Sequence, residues 1–123
     1  MLTLQEMDAV VGIRDQFAES TEGPVVLVNV FSVDSGDVDA LVEAWTHDAA
    51  FFKRQPGFIS TQLHRGIAGS TTFLNYAVWE SVEKFRAAFS QPEFRETLAG
   101  YPDSASGSPH LFRKVAVPDI CIA

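Results

Sequence analysis

Asparagine occurs twice in these 123 residues, at positions 29 and 75. Both stand inside apolar, β-branched stretches, VVLVNVFSV (25–33) and TTFLNYAVW (71–79). Asparagine favours turns and caps and is depleted in strands. A buried amide without partners costs about 1–3 kcal/mol, so two of them in core strands need a reason. One reason is structural: each amide bonds a neighbouring backbone group or a buried water. The other is chemical: amide donors in an apolar cleft can hold a phenolate or enolate oxygen. Trp79 has the strand parity of Asn75 and therefore its face. Its indole can stack on an aromatic ring and donate through its N–H. Asn29 shares a face with Leu27 and Phe31. If the two strands are neighbours, one register brings Asn29, Asn75 and Trp79 around a single spot.

Other reactive side chains are sparse. His47, His64 and His110 are the only imidazoles. No short-range ligand spacing links them, so no metal site is expected. His47 falls on a helix and His110 just ahead of a strand, and both read as surface or interface residues. His64 shares a strand face with Gln62 and can reach a pocket end if the register permits. The glycines form neither G-x-G-x-x-G nor a P-loop, so flavin, nicotinamide and nucleotide sites have no signature. Cys121 has no histidine near it in sequence. No obvious strong base is offered, which leaves proton removal to a substrate's own acidity.

The elements that position these residues follow from periodicity. Leu4, Met7, Val10, Val11 and Phe17 predict an amphipathic helix over 4–20, broken by Ser20 to Pro24. A buried strand is expected over 25–33. Val38, Leu41, Val42, Trp45, Ala49 and Phe52 then define the strongest helix, ending at Pro56-Gly57. Trp45, Phe51 and Phe52 read as core, with some of them walling a pocket between helix and sheet. Residues 58–65 and 71–79 form a hairpin. Ser81 caps a helix carrying Val82, Phe85 and Phe89, and Pro92 opens another with Phe94 and Leu98. Residues 99–109 read as a long polar loop, and 110–117 as a fourth strand. The order predicts an α+β fold, the ferredoxin-like split βαβ (βαββαβ) with an extra N-terminal helix. The expected strand order is fourth-first-third-second, antiparallel. Residues 1–23 read as an N-terminal helical extension, 24–118 as the domain and 119–123 as a tail.

Strands one and three are apolar on both faces, whereas helices cover only one. The second face, with Val26, Val28, Val30 and Tyr76, calls for another layer, most simply a second copy in a C2 homodimer.

Composition narrows the function classes. Nine basic against sixteen acidic residues give a net charge of −7, so the basic footprint that nucleic acid requires is missing. An anionic membrane surface would repel such a chain. No apolar run approaches the ~18 residues of a spanning helix. The first residues lack the pattern of a signal peptide, and one cysteine cannot form an internal disulfide, so a cytoplasmic setting is expected. Ten phenylalanines point to large apolar surfaces that pack or face a ligand.

PVVLVNVFSV, the AW of the first long helix, QPGFISTQLHRG and FLNYAVWESVEKFRAAFSQPEF, within residues 24–95, resemble the antibiotic biosynthesis monooxygenase (ABM) family of dimeric α+β barrels. The N-x-x-x-W strand followed by E-S and a helix is the most specific piece. The resemblance implies a cofactor-independent oxygenase that converts an anthrone-type phenol to a quinone with O2. It casts Asn29, Asn75 and Trp79 as catalytic, with Phe31, Trp45, Phe52, His64 and Phe89 against the substrate. Heme-degrading relatives share the asparagine and tryptophan but carry an axial histidine on the next helix. Residues 80–100 hold none, and Phe89 has the corresponding spacing, which speaks against heme. A polyketide cyclase using His64 without O2, and a non-catalytic binding module, are the competing readings.

Overall fold

A computed structural model describes residues 1–19 and 23–123. The elements are β1 (Thr3–Leu4), α1 (Ile13–Gln16), β2 (Val25–Ser32), α2 (Val38–Lys53), β3 (Phe58–Arg65), β4 (Thr72–Trp79), α3 (Val82–Phe89), α4 (Pro92–Ala99) and β5 (Ser106–Phe112). The sheet order is β1-β5-β2-β4-β3. Its four long strands are antiparallel in the expected order, and β2 and β4 are neighbours at its centre. The fold is α+β and ferredoxin-like.

Local chemistry explains the element ends. The Ser81 hydroxyl accepts from the Lys84 N–H and starts α3. Pro92 opens α4, where its missing N–H costs nothing. Gly57, with φ +89°, turns the chain from α2 into β3, and a side chain there would collide with Lys84.

Three expectations change. The N-terminal stretch is not one helix over 4–20, of which the last position lies outside the described residues. Its helix is only Ile13–Gln16. Leu2 N–H instead bonds Leu98 O near the end of α4, and the chain then runs beside β5, with Thr3 N–H to Ala105 O and Gln5 N–H to Gly107 O. The Asp8 carboxylate accepts from the Val10 and Val11 N–H groups, and Glu6 accepts from that of Ile13. These side-chain acceptors compete with helical bonding.

The fourth strand is Ser106–Phe112 rather than 110–117, so the polar loop is shorter than expected. Phe112 pairs with Val26, next to the start of β2, and beyond it no strand remains to pair with. Pro109 is tolerated because the backbone groups of alternate residues here face the sheet edge. Gly107 O takes the Gln5 N–H, and Leu111 N–H donates to the Gln16 side chain. The N–H that Pro109 lacks would point the same way.

The third change is a bulge. Phe58 opposes Trp79 while Ser60 opposes Val78, leaving Ile59 as an extra residue. Strand parity flips there. Phe58, Thr61 and Leu63 face inward, whereas Ser60, Gln62 and His64 face the opposite side.

Helices α2 to α4 cover the inner face of the sheet. The core includes Phe31, Leu41, Trp79 and Phe85, each no more than 1% exposed.

Candidate active site

Asn29 lies directly opposite Asn75 in the β2–β4 ladder, so the expected register is the observed one. Cross-strand partners share a face, and this face looks toward the helices. The two amides and Trp79 line one cleft. Eight of the nineteen residues that line it are aromatic. Phe52, Phe58 and Phe85 meet the Trp79 ring edge-on or nearly so at 5.5–5.7 Å between centroids. Phe31, Trp45 and Phe89 complete the set of expected residues brought to the cleft.

His64 is not brought there. The bulge sends it to the outer face, where it is exposed and pairs with Leu74. His47 is exposed on α2. His110 is buried rather than superficial, within β5 beside Val28. Its Nε2 lies 3.1 Å from the Gln16 amide nitrogen and its ring meets Phe112 edge-on. None of the three histidines lines the cleft, so it offers no imidazole to a heme iron. Among the described residues no three His, Cys, Asp or Glu side chains gather as a metal site would require.

Hydrogen bonding divides the cleft's polar groups. The Thr61 hydroxyl donates to Asn75 Oδ1. With that oxygen engaged, the Asn75 amide hydrogens are the part of the side chain left for the cleft. Asn29 Oδ1 and the Trp79 indole Nε1 are buried with no partner. Gly107 helps seat Asn29, since a Cβ there would stand 3.2 Å from Oδ1. An unsatisfied buried acceptor and donor each cost about 1–3 kcal/mol. Both are of the kind a hydroxylated aromatic can satisfy, through a hydroxyl that donates and an oxygen that accepts.

Asp48 also lines the cleft, and sequence reasoning missed it. It is 7% exposed. Tyr101 donates its hydroxyl to Asp48 Oδ2 at 2.8 Å, while the Thr97 hydroxyl, 3.2 Å from Oδ1, has its one hydrogen drawn to the closer Phe94 O at 2.6 Å. Burial pushes the Asp48 carboxyl up to about 6, against the smaller opposing effect of the two hydroxyls. Burial and the neighbouring carboxylate push the Tyr101 phenol far above its ordinary range, so it remains a donor. A signal was present in the sequence. Asp48 occupies the inward stripe of α2 at i+7 from Leu41 and i−4 from Phe52, where an apolar residue is expected. Thr61 was missed because its inward direction depends on the bulge.

The model of the antibiotic biosynthesis monooxygenase family matches residues 24–100. Over 70 residues the chain is 39% identical to deoxynogalonate monooxygenase of Streptomyces nogalater, covering 57% of this chain and 58% of that protein. Over 69 residues it is 33% identical to a mycobilin-producing heme oxygenase of Mycobacterium tuberculosis, covering 56% and 66%. The chain thus spans less than two thirds of the length of these curated relatives. The crystal structure of SnoaB, a cofactor-independent oxygenase from Streptomyces nogalater, matches with a TM-score of 0.71 at 30% identity. That match covers 79% of this chain and 98% of SnoaB.

Proposed function

This chain belongs to the antibiotic biosynthesis monooxygenase family, and on that premise we propose that it is a cofactor-independent monooxygenase oxidising an anthrone-type polycyclic phenol to a quinone. The observation that carries this reading is the pair of unpartnered buried atoms, Asn29 Oδ1 and Trp79 Nε1, beside the Asn75 amide in an aromatic cleft. Capture of the substrate is hydrophobic, since the chain's net charge of −7 does nothing to attract an anion. Asn29 Oδ1 accepts from a substrate hydroxyl. The Asn75 amide and the Trp79 indole donate to the oxygen on which negative charge develops, as preorganised donors in a water-poor site do.

Loss of a proton from the substrate carbon leaves an electron-rich carbanion. It passes one electron to O2, giving a substrate radical and superoxide. Their recombination forms a C–O bond and a peroxide. Cleavage of the O–O bond with loss of the second C–H proton releases water and leaves a carbonyl. The balance is CH2 + O2 → C=O + H2O, with the substrate as the reductant.

The same reading makes the protein a homodimer through its outer sheet face. Support comes from Tyr76, 43% exposed, and from the partly exposed Val26, Val28 and Val30 around it. No helix among the described residues is long and apolar enough to cross a membrane, and a cytoplasmic setting suits a chain with the single thiol of Cys121.

The test is aerobic incubation with a panel of anthrones and naphthols, with O2 uptake, quinone absorbance and 18O2 incorporation as readouts. One labelled oxygen per quinone, and no reaction under argon, is the expected result. Ring closure that proceeds without O2 would establish a cyclase instead. Binding without turnover across the panel would leave a binding module.

A further inference from the structure

The proposed reaction begins with loss of a proton, and the sequence shows no group to take it. We propose that Asp48 is the general base of this cleft, held in place by Tyr101. The inference rests on the monooxygenase reading above. Asp48 is the one ionisable side chain among the described residues that line the cleft. One oxygen, Oδ2, is fixed by the Tyr101 hydroxyl from the turn that follows α4, and Oδ1 lies 3.2 Å from the Thr97 hydroxyl, which donates to Phe94 O. The Tyr101 ring stacks on Phe31 at 5.9 Å, with the planes 13° apart. Phe31 belongs to the sheet side of the cleft, so the base is tied to the surface that carries Asn29.

Oδ2 accepts from Tyr101, and Oδ1 keeps lone-pair capacity for a substrate proton. In the step assigned to it, the substrate C–H bond breaks and its electron pair stays on the substrate as the carbanion. The proton goes to Asp48. After O2 addition, the protonated carboxyl returns that proton to the peroxide oxygen, which leaves as water. Asp48 is thereby regenerated.

Its position suits the task. A carboxyl that ionises near 6 is ionised at neutral pH and is a better base than a solvated one. The other charged groups on its elements point elsewhere. Glu43 and His47 of α2 and Glu96 of α4 line a separate surface groove. The sheet and β1 present it with Asn29, Phe31, Leu2 and Leu4, none of them charged.

The experiment uses the full chain with anthrone as probe. Under argon in D2O, exchange of the anthrone methylene hydrogens reads proton removal without any oxygenation. Wild type is expected to accelerate exchange above background. Asp48→Asn, which keeps an acceptor for Tyr101, is expected to lose exchange and aerobic turnover by about 100-fold or more, with KM little changed. In wild type, kcat/KM falls below about pH 6, and this limb is absent from Asp48→Asn. Tyr101→Phe removes a bond that favours the ionised form, so it moves the limb to higher pH.

Exchange as fast in Asp48→Asn as in wild type overturns the assignment, as does wild-type exchange no faster than background. If Asp48→Asn fails to fold, an unmoved acidic limb in Tyr101→Phe overturns it equally. Exchange that depends on Asp48 without O2 uptake in air overturns the monooxygenase reading and leaves the base standing.

Discussion

On the helix-covered face of the sheet, Asn29 Oδ1 and Trp79 Nε1 are buried without partners. On the other face His110 Nδ1 is also buried without a partner, but the face is mainly apolar: Tyr76 is 43% exposed, and Val26, Val28, Val30, Leu74 and Val78 are only partly covered. The faces differ in what they chiefly lack. An orphaned polar atom needs a directional partner a few atoms in size, which a small molecule supplies. A bare apolar surface needs area, which another protein layer supplies. One sheet built from the same two strands therefore points to a ligand on one side and to a second subunit on the other.

The largest expected effect breaks the bare face. Val28 sits between Tyr76 and His110 in the cross-strand row. Val28→Lys places an ammonium, for which the adjacent His110 offers no counter-charge, in the middle of the expected interface, twice per dimer. An uncompensated buried charge costs about 3–5 kcal/mol, so the variant should be monomeric at micromolar concentration by light scattering. Wild type that is already monomeric under those conditions would remove the contrast between the faces.

Asn75→Ala tests the covered face. Loss of one oxyanion donor should lower turnover by roughly 10- to 1000-fold, with the variant still a folded dimer. An unchanged rate on an accepted phenol, together with a clearly lowered melting temperature, would make Asn75 a structural partner of Thr61 and no more.

Asp48→Asn gives the smallest effect, on stability. Asp48 accepts from the Tyr101 hydroxyl, yet burial raises its carboxyl from the ordinary 3.8 to about 6. Below about pH 4 the proton is bound in both folded and unfolded chains, and the stabilisation is complete. As pH rises toward 6 the unfolded chain releases its proton first, so stability falls through that window. Above it the loss is about 3 kcal/mol. Denaturant midpoints from pH 3.5 to 7.5 should show this fall in wild type and not in Asp48→Asn. The difference between the two chains isolates Asp48 from Asp8 and Asp103. Backbone N–H groups of Val10 and Val11 hold the Asp8 carboxyl low, and the Met1 ammonium holds that of Asp103 low, so both act in the opposite sense. Parallel curves would mean that Asp48 is as well solvated in the fold as outside it.

Much of this was legible beforehand. Short, nearly continuous apolar runs rich in β-branched residues located β2 and β4, and period 3.6 located α2, because those patterns reflect burial on both faces and on one side respectively. Two asparagines in apolar strands marked the cleft because a polar group there carries a cost that something must offset. Strand adjacency followed from the split βαβ order, while the register that sets Asn29 opposite Asn75 was one possibility among several until the folded sheet fixed it.

What the sequence could not decide depended on contacts between distant segments. Parity alone sends His64 toward the cleft or away from it, and one extra residue at Ile59 settled that it points away while Thr61 points in. Leu4 to Phe17 carry a helical pattern, yet backbone pairing with β5 and local carboxylate acceptors take most of that stretch out of the helix. Asp48 and Tyr101 are 53 residues apart. One looked like a polar residue on a helix and the other like part of a polar loop. A carboxylate becomes a buried, hydroxyl-bonded base only when packing removes water from it, and packing is a property of the folded chain.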